Sequence, residues 1–286
     1  MSRQAIIERE RRLRPWVAVA CVVPLAFYVL ALSIESGSGI EVSGLATERL
    51  RSVDEHSSAL LFATIARSIG FVAMAIPLFF LFRAVQARTE RVRPILIGLV
   101  VVGPVLLAVQ GLVGFSAERD VASQFVEQSP GVGDIYSLAQ NLRDESGALQ
   151  TASGLFLPAM LALIFSMIYV PLWAVRTGLL PRFFGTLGMA LGASILFLLQ
   201  IALLAILGWF VYFGVLLLGR VPRGRPPAWD AGEAIPWLPP GEEPVVAAAD
   251  GPDVVEGDAT EIPGVDENPN AARRERARRR KRKRRR

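Results

Sequence analysis

The chain has almost none of the side chains on which chemistry usually rests. Its one cysteine, Cys21, excludes an intrachain disulfide and leaves the redox compartment unread. Its one histidine, His56, excludes a zinc motif built on two histidines of one helix. No carboxylate lies inside any long apolar run. That excludes a paired-carboxylate site within a membrane and speaks against proton-coupled transport, which normally needs an intramembrane carboxylate or histidine. There is no Gly-x-Ser-x-Gly elbow and no phosphate-cradling Gly-Lys-Ser/Thr loop. The expectation is a protein that is not an enzyme and carries neither cofactor nor metal. Lysine is scarce too, at Lys281 and Lys283 against 29 arginines, which we read as coding bias rather than chemistry.

What the chain does have is apolar length. Of 286 residues 52% are hydrophobic, and they gather in runs too long for the face of a soluble domain. About 20 apolar residues in a helix span a bilayer's hydrocarbon core. Four runs qualify directly: Trp16–Ile34, Ala59–Phe82, Pro94–Phe115 and Ala152–Val175. A fifth uncharged stretch, Phe183–Gly219, covers 37 residues. As one helix it would be ~55 Å long, too long for the bilayer. It reads as two helices with a turn near Leu198–Ala202. The expected fold class is therefore an all-α integral membrane bundle of about six transmembrane helices.

Arginine sets the direction. With the N-terminus inside, the inner segments carry 14 arginines, and the outer loops 35–58 and 116–151 carry four arginines and 11 acids. The excess of Arg and Lys belongs on the cytoplasmic side, so the expected location is the cell membrane with both termini cytoplasmic. Two helices in the last stretch return Arg220 to the inside, whereas one would leave it outside. The Arg-rich start resembles a signal-peptide n-region, but the run after it is long for an h-region and no small-x-small site follows. Val19-Ala20-Cys21 is a poor lipoprotein box, with Ala18 before it. An uncleaved first helix is the reading.

The domains expected are a basic segment at 1–15, the membrane domain at 16–219, a disordered acidic linker at 220–272 and a polybasic tail at 273–286. The linker holds Pro, Gly, Glu and Asp with few aromatics, too little apolar surface to offset ordering entropy. Trp229 and Trp237 are its exceptions, placed by the sequence at headgroup level. In the outer loops, Ser43–Glu55, Ala117–Glu127 and Asp134–Asp144 have helical patterns, with Ser129-Pro130-Gly131 as a breaker.

The candidate polar cluster within the membrane is Arg67, Gln110 and Gln200, under the outer rim, with Glu55 and His56 just above. A charge there is a functional hypothesis by default. The plainer reading is an arginine bonded to amides or carbonyls, or one that snorkels outward. Pro24, Pro77, Pro104, Pro158 and Pro171 punctuate the first four spans and tend to kink them. Gly185, Gly188 and Gly192 offer a close-packing face, and Gly111 and Gly114 another.

The stretch VRTGLLPRFFGTLGMALG (Val175–Gly192), with Gly219–Trp237, resembles a group of small multi-pass bacterial membrane proteins of unknown function. Their Gly-Leu-Leu-x-Arg-aromatic-x-Gly segment is matched by Gly178, Leu179, Leu180, Arg182, Phe183 and Gly185. The resemblance implies a polytopic α-helical membrane protein and no finer activity. As a short inner turn, Pro181 opens a helix, Arg182 anchors at anionic headgroups, and Phe183 and Phe184 sit at the interface.

The tail RRERARRRKRKRRR carries 12 basic residues against Glu275: Arg273, Arg274, Arg276, Arg278, Arg279, Arg280, Lys281, Arg282, Lys283, Arg284, Arg285 and Arg286. Residues 226–272 hold 11 acids and no Lys or Arg. On the inside, the tail's first expected partner is anionic lipid, at ~1 kcal/mol per charge near the surface. Intramolecular pairing with the acidic linker is second. Nucleic acid is third, since any polyanion rewards counterion release but no aromatic is present for base stacking. The function expected is a non-enzymatic membrane protein of the sensor, scaffold or assembly-factor kind. The alternative is a small-solute transporter or channel around Arg67.

Overall fold

The structure, a computed structural model, describes residues 2–38, 45–130, 133–222 and 224–237. The tail at 273–286 and the linker beyond 237 lie outside the described residues. Ten α-helices are found among those described: α1 (Arg3–Ala20), α2 (Val23–Gly37), α3 (Ala46–Glu55), α4 (Ser57–Gln86), α5 (Ile97–Gln128), α6 (Ile135–Glu145), α7 (Gly147–Arg176), α8 (Arg182–Ser194), α9 (Leu199–Leu217) and α10 (Ala228–Ala231). A 3₁₀ turn, Pro94–Leu96, leads into α5, and no strand occurs among the described residues.

Five stretches are long and apolar enough to cross a membrane: Arg3–Gly37, Ser57–Gln86, Pro94–Gln128, Gly147–Arg176 and Leu199–Leu217. The expected sixth, α8, has 13 residues. At ~1.5 Å per residue that is ~20 Å, short of a ~30 Å hydrocarbon core. The turn after it lies at residues 195–198, earlier than Leu198–Ala202, so Gln200 sits in the first turn of α9. The α8–α9 hairpin still returns the chain to the end of the bundle from which it left. This is the basic end, which holds the start of α1, the end of α4, the α7–α8 loop and α10.

The first apolar run is two helices. α1 continues through Pro15 to Ala20, and α2 starts again at Val23 with Pro24 in its first turn. Proline fits there because the first amides of a helix have no intrahelical partner. Pro77, Pro104, Pro158 and Pro171 lie inside α4, α5 and α7.

One apolar core joins α1, α2, α4, α5, α7, α8 and α9. α8 lies against α7 and α9 through its glycines. A Cβ on Gly185 would collide with Val175, one on Gly188 would stand 3.0 Å from the Trp209 ring, and one on Gly192 would stand 2.8 Å from Met167 Cβ. The expected packing face is real. Gly111 and Gly114 are looser, with nearest atoms at 3.7 and 3.6 Å. The tight α5–α7 approach is at Gly103 instead, where a Cβ would stand 2.8 Å from the Leu163 amide nitrogen.

At the far end α5 runs unbroken from its apolar run into the polar stretch, ending at Gln128. Its last turns bury Val121, Ala122 and Phe125 against Leu50 and Val53 of α3 and Ala139 of α6. Val126 faces outward. Asp134 caps α6 by accepting from the Tyr136 and Ser137 amides, each at 3.1 Å. The Ser137 amide, then its side chain, holds the Asp134 carboxyl below its usual range.

Candidate functional site

Two ionic clusters stand out, one under the far-end cap and one at the basic end. The first forms around Arg67 of α4, ~15 Å along the helix from Ser57. Its Nη2 donates to both carboxylate oxygens of Glu35, at 2.6 and 2.7 Å. The guanidinium carbon lies 5.9 Å from the Tyr28 ring centroid, within cation–π range. The Tyr28 hydroxyl donates to Gln200 Oε1 at 3.1 Å. One charged pair and one hydrogen bond therefore tie α2 to both α4 and α9.

Of the expected trio, the structure brings together Arg67 and Gln200, and only through Tyr28. Gln110 is half-buried on α5, its Nε2 next to Gly114 of the same helix rather than in the cluster. His56 turns back to its own helix, with Nδ1 3.2 Å from the Ser52 carbonyl. The partner of Arg67 is a carboxylate, not the amides or carbonyls expected. Glu35 escaped the sequence reading because it lies one residue past the apolar run and was counted with the loop.

The second cluster was not anticipated. Glu10 on α1 is 1% exposed. Its two oxygens accept from Arg88 Nη1 and Nη2 at 2.6 and 2.9 Å, a two-pronged pairing. The Arg88 side chain is fully buried. It also donates to the Ala84 carbonyl at 2.9 Å, and through Nε and Nη2 to the Ala228 carbonyl at 3.1 and 2.9 Å. Arg14, one turn after Glu10, donates to the Trp229 carbonyl at 2.8 Å and lies 3.7 Å from Asp230. Arg225 pairs with Asp230 at 2.6 Å.

Trp229 sits at the centre, fully buried. Its ring stacks on Phe80 at 5.8 Å, with the guanidiniums of Arg14 and Arg88 at 5.5 and 5.4 Å from the centroid. Its Nε1 donates to the Leu179 carbonyl at 2.9 Å. This corrects two expectations. Residues 224–237 are a packed collar over the basic end rather than part of a disordered linker, and Trp229 is inside the protein rather than among headgroups. Glu10 and Arg14 also extend the packed core into the expected N-terminal segment.

The collar accounts for the inner turn. Gly178 has φ +75°, a left-handed conformation that favours glycine. A Cβ there would collide with the Ile235 carbonyl. Around it the Ile235 amide donates to the Thr177 carbonyl at 3.2 Å, and Trp237 Nε1 donates to the Leu180 carbonyl at 2.8 Å. Arg182 Nη2 donates to the Trp237 carbonyl at 2.8 Å. Leu179 and Leu180 are buried. Phe183 is exposed, whereas Phe184 stacks on Trp209 at 4.7 Å inside the bundle, away from the interface expected for it. Val175–Gly192 and Gly219–Trp237 are thus two sides of one joint.

Among the described residues no three His, Cys, Asp or Glu side chains gather as a metal site. What both clusters do is compensate charge between helices. No protein-family model matches the chain, and no curated protein or solved structure does either.

Proposed function

We propose that the protein is a multi-pass integral protein of the bacterial cell membrane that works as a scaffold rather than as an enzyme. The basic end faces the cytoplasm, as do both termini of the chain. Membrane placement is supported by the outward stripe of α4. Phe62, Ile65, Ile69, Val72, Ile76 and Phe79 are all exposed at helical spacing, an apolar surface that water would not tolerate at this length. The arginine excess supports the direction. The short α8 and the crossing-length α9 act as one hairpin that enters beside α7 and returns to the basic end, so both ends of the membrane domain fall on one side.

The observation that carries the scaffold reading is the pairing of the charges in both clusters. The transport reading rests on Arg67 being left to meet a solute. Arg67 is held by Glu35, and Arg88 by Glu10. Both pairs tie helices together. The tail's anionic-lipid partner follows from charge and side.

Two measurements test this. With Cys21 replaced by alanine, a cysteine introduced at residue 280 is expected to react with impermeant reagents only after the membrane is opened; reaction from outside overturns the topology. Arg67→Gln is expected to leave solute uptake unchanged. If it abolishes uptake of a solute by a chain that is still folded, the transporter reading replaces the scaffold.

A further inference from the structure

A groove of about 600 Å³ opens on the side of the bundle between α1, α4 and α5. Its walls are apolar: Leu13 and Val17 from α1, Val72, Ile76 and Phe79 from α4, and Val101 and Val105 from α5 among them. Its charged lining groups are Arg9, Glu10 and Arg83, all toward the basic end. From Arg83 to Val72 is 11 residues of one helix, ~16 Å, about the depth of one leaflet's hydrocarbon.

We propose that this groove is a binding site for one anionic glycerophospholipid of the cytoplasmic leaflet. An acyl chain would lie along Val72, Ile76 and Phe79, and the phosphate would meet Arg83 and Arg9. The inference rests on the membrane placement proposed above. Apolar fit cannot select a ligand inside a bilayer, because lipid tails are as apolar as the groove. Selection has to come from the mouth. Among the described residues the exposed Arg83 guanidinium hydrogen-bonds only to Gln86 Oε1, at 3.3 Å. Arg9 is half-exposed on the facing helix. The lining carboxylate, Glu10, is neutralised from behind by Arg88 at 2.6 Å, so it does not cancel the Arg83 charge that the mouth presents to a phosphate. Basic pockets between membrane helices on the cytoplasmic side bind anionic headgroups in this way.

The test uses the full chain, purified in detergent, with added phosphatidylglycerol or phosphatidylcholine and bound lipid counted by native mass spectrometry. Phosphatidylglycerol is expected to be retained in preference. Arg83→Gln and Arg9→Gln are each expected to weaken that retention about fivefold, the effect of one arginine near an anionic surface, with the polybasic tail constant throughout. Ile76→Trp, which fills the wall, is expected to reduce retention whatever the headgroup. Equal retention of the two lipids, or retention unchanged in Arg83→Gln, overturns the groove site. A chain recovered in the soluble rather than the membrane fraction overturns the membrane placement instead, so the two failures are distinguishable.

Discussion

Arg88 is the side chain on which the basic end turns. From the turn after α4 it reaches α1, the last turn of α4 and the collar, and none of its charge is left to solvent. Removing one partner of a buried ion pair strands the other charge in low dielectric and costs about 3–5 kcal/mol. Arg88→Ala is expected to lower stability by about that much, measured as thermal unfolding in one detergent. Glu10→Ala combined with Arg88→Ala is expected to cost less than the sum of the two singles, because no charge is then stranded. Gly178 is critical for a different reason. Alanine there meets both a left-handed backbone and the Ile235 carbonyl, so Gly178→Ala is expected to cost about 1–3 kcal/mol and to loosen the Trp237 indole, read as a shift in its fluorescence. The sequence marks Gly178 only as part of a pattern. Its reason lies 57 residues further along, at Ile235.

Helices depart from their apolar runs in both directions. α5 outgrows its run because Val121 and Phe125 keep its buried face going against α3 and α6, beyond where hydropathy ends. α8 falls short of its run because the chain turns at residues 195–198, and its glycines hold the short helix tightly against α7. Gly188→Leu is expected to push α8 off Trp209 and Pro171, costing about 1–3 kcal/mol as overpacking does and shortening the unfolding transition's separation from the aggregation onset. At the far end, the Arg67–Glu35 contact between α4 and α2 is partly exposed, with 32% and 19% of the two side chains accessible. A double-mutant cycle to methionine is expected to give a coupling weaker than that of Arg88 with Glu10. The α6 cap adds a pH dependence. Asp134 titrates below its usual range, so its support is complete above about pH 4 and is lost as pH falls through the lowered value. Exchange of the Tyr136 and Ser137 amides, corrected for intrinsic rate, is expected to quicken only in that acid window.

For the molecule, the collar links the beginning of the described chain to its end. A chain stopped after Trp237 is expected to unfold at the same temperature as the full protein. One stopped after Gly219 is expected to unfold well below it, since Glu10, Arg14 and Arg88 lose the Ala228 and Trp229 carbonyls and the Trp229 ring. Thermal unfolding followed by tryptophan fluorescence distinguishes the two. The unfolding temperatures coinciding for both truncations would mean that the collar does not close the bundle.

The helical class and the five long apolar stretches were legible in the amino-acid order, because crossing length and apolar content are local quantities. The return of the last hairpin to the basic end was legible too, from arginine counting. Pairing was not. Glu35 reads as a loop acid, Glu10 as one charge in a basic run, and Trp229 as a stray aromatic in a Pro- and Gly-rich stretch, since each is defined by a partner 30 to 220 residues away. Local composition carries no information about such partners. Only helix packing brings Arg88 under Trp229 and Glu10 onto Arg88, and low dielectric then makes those contacts decisive.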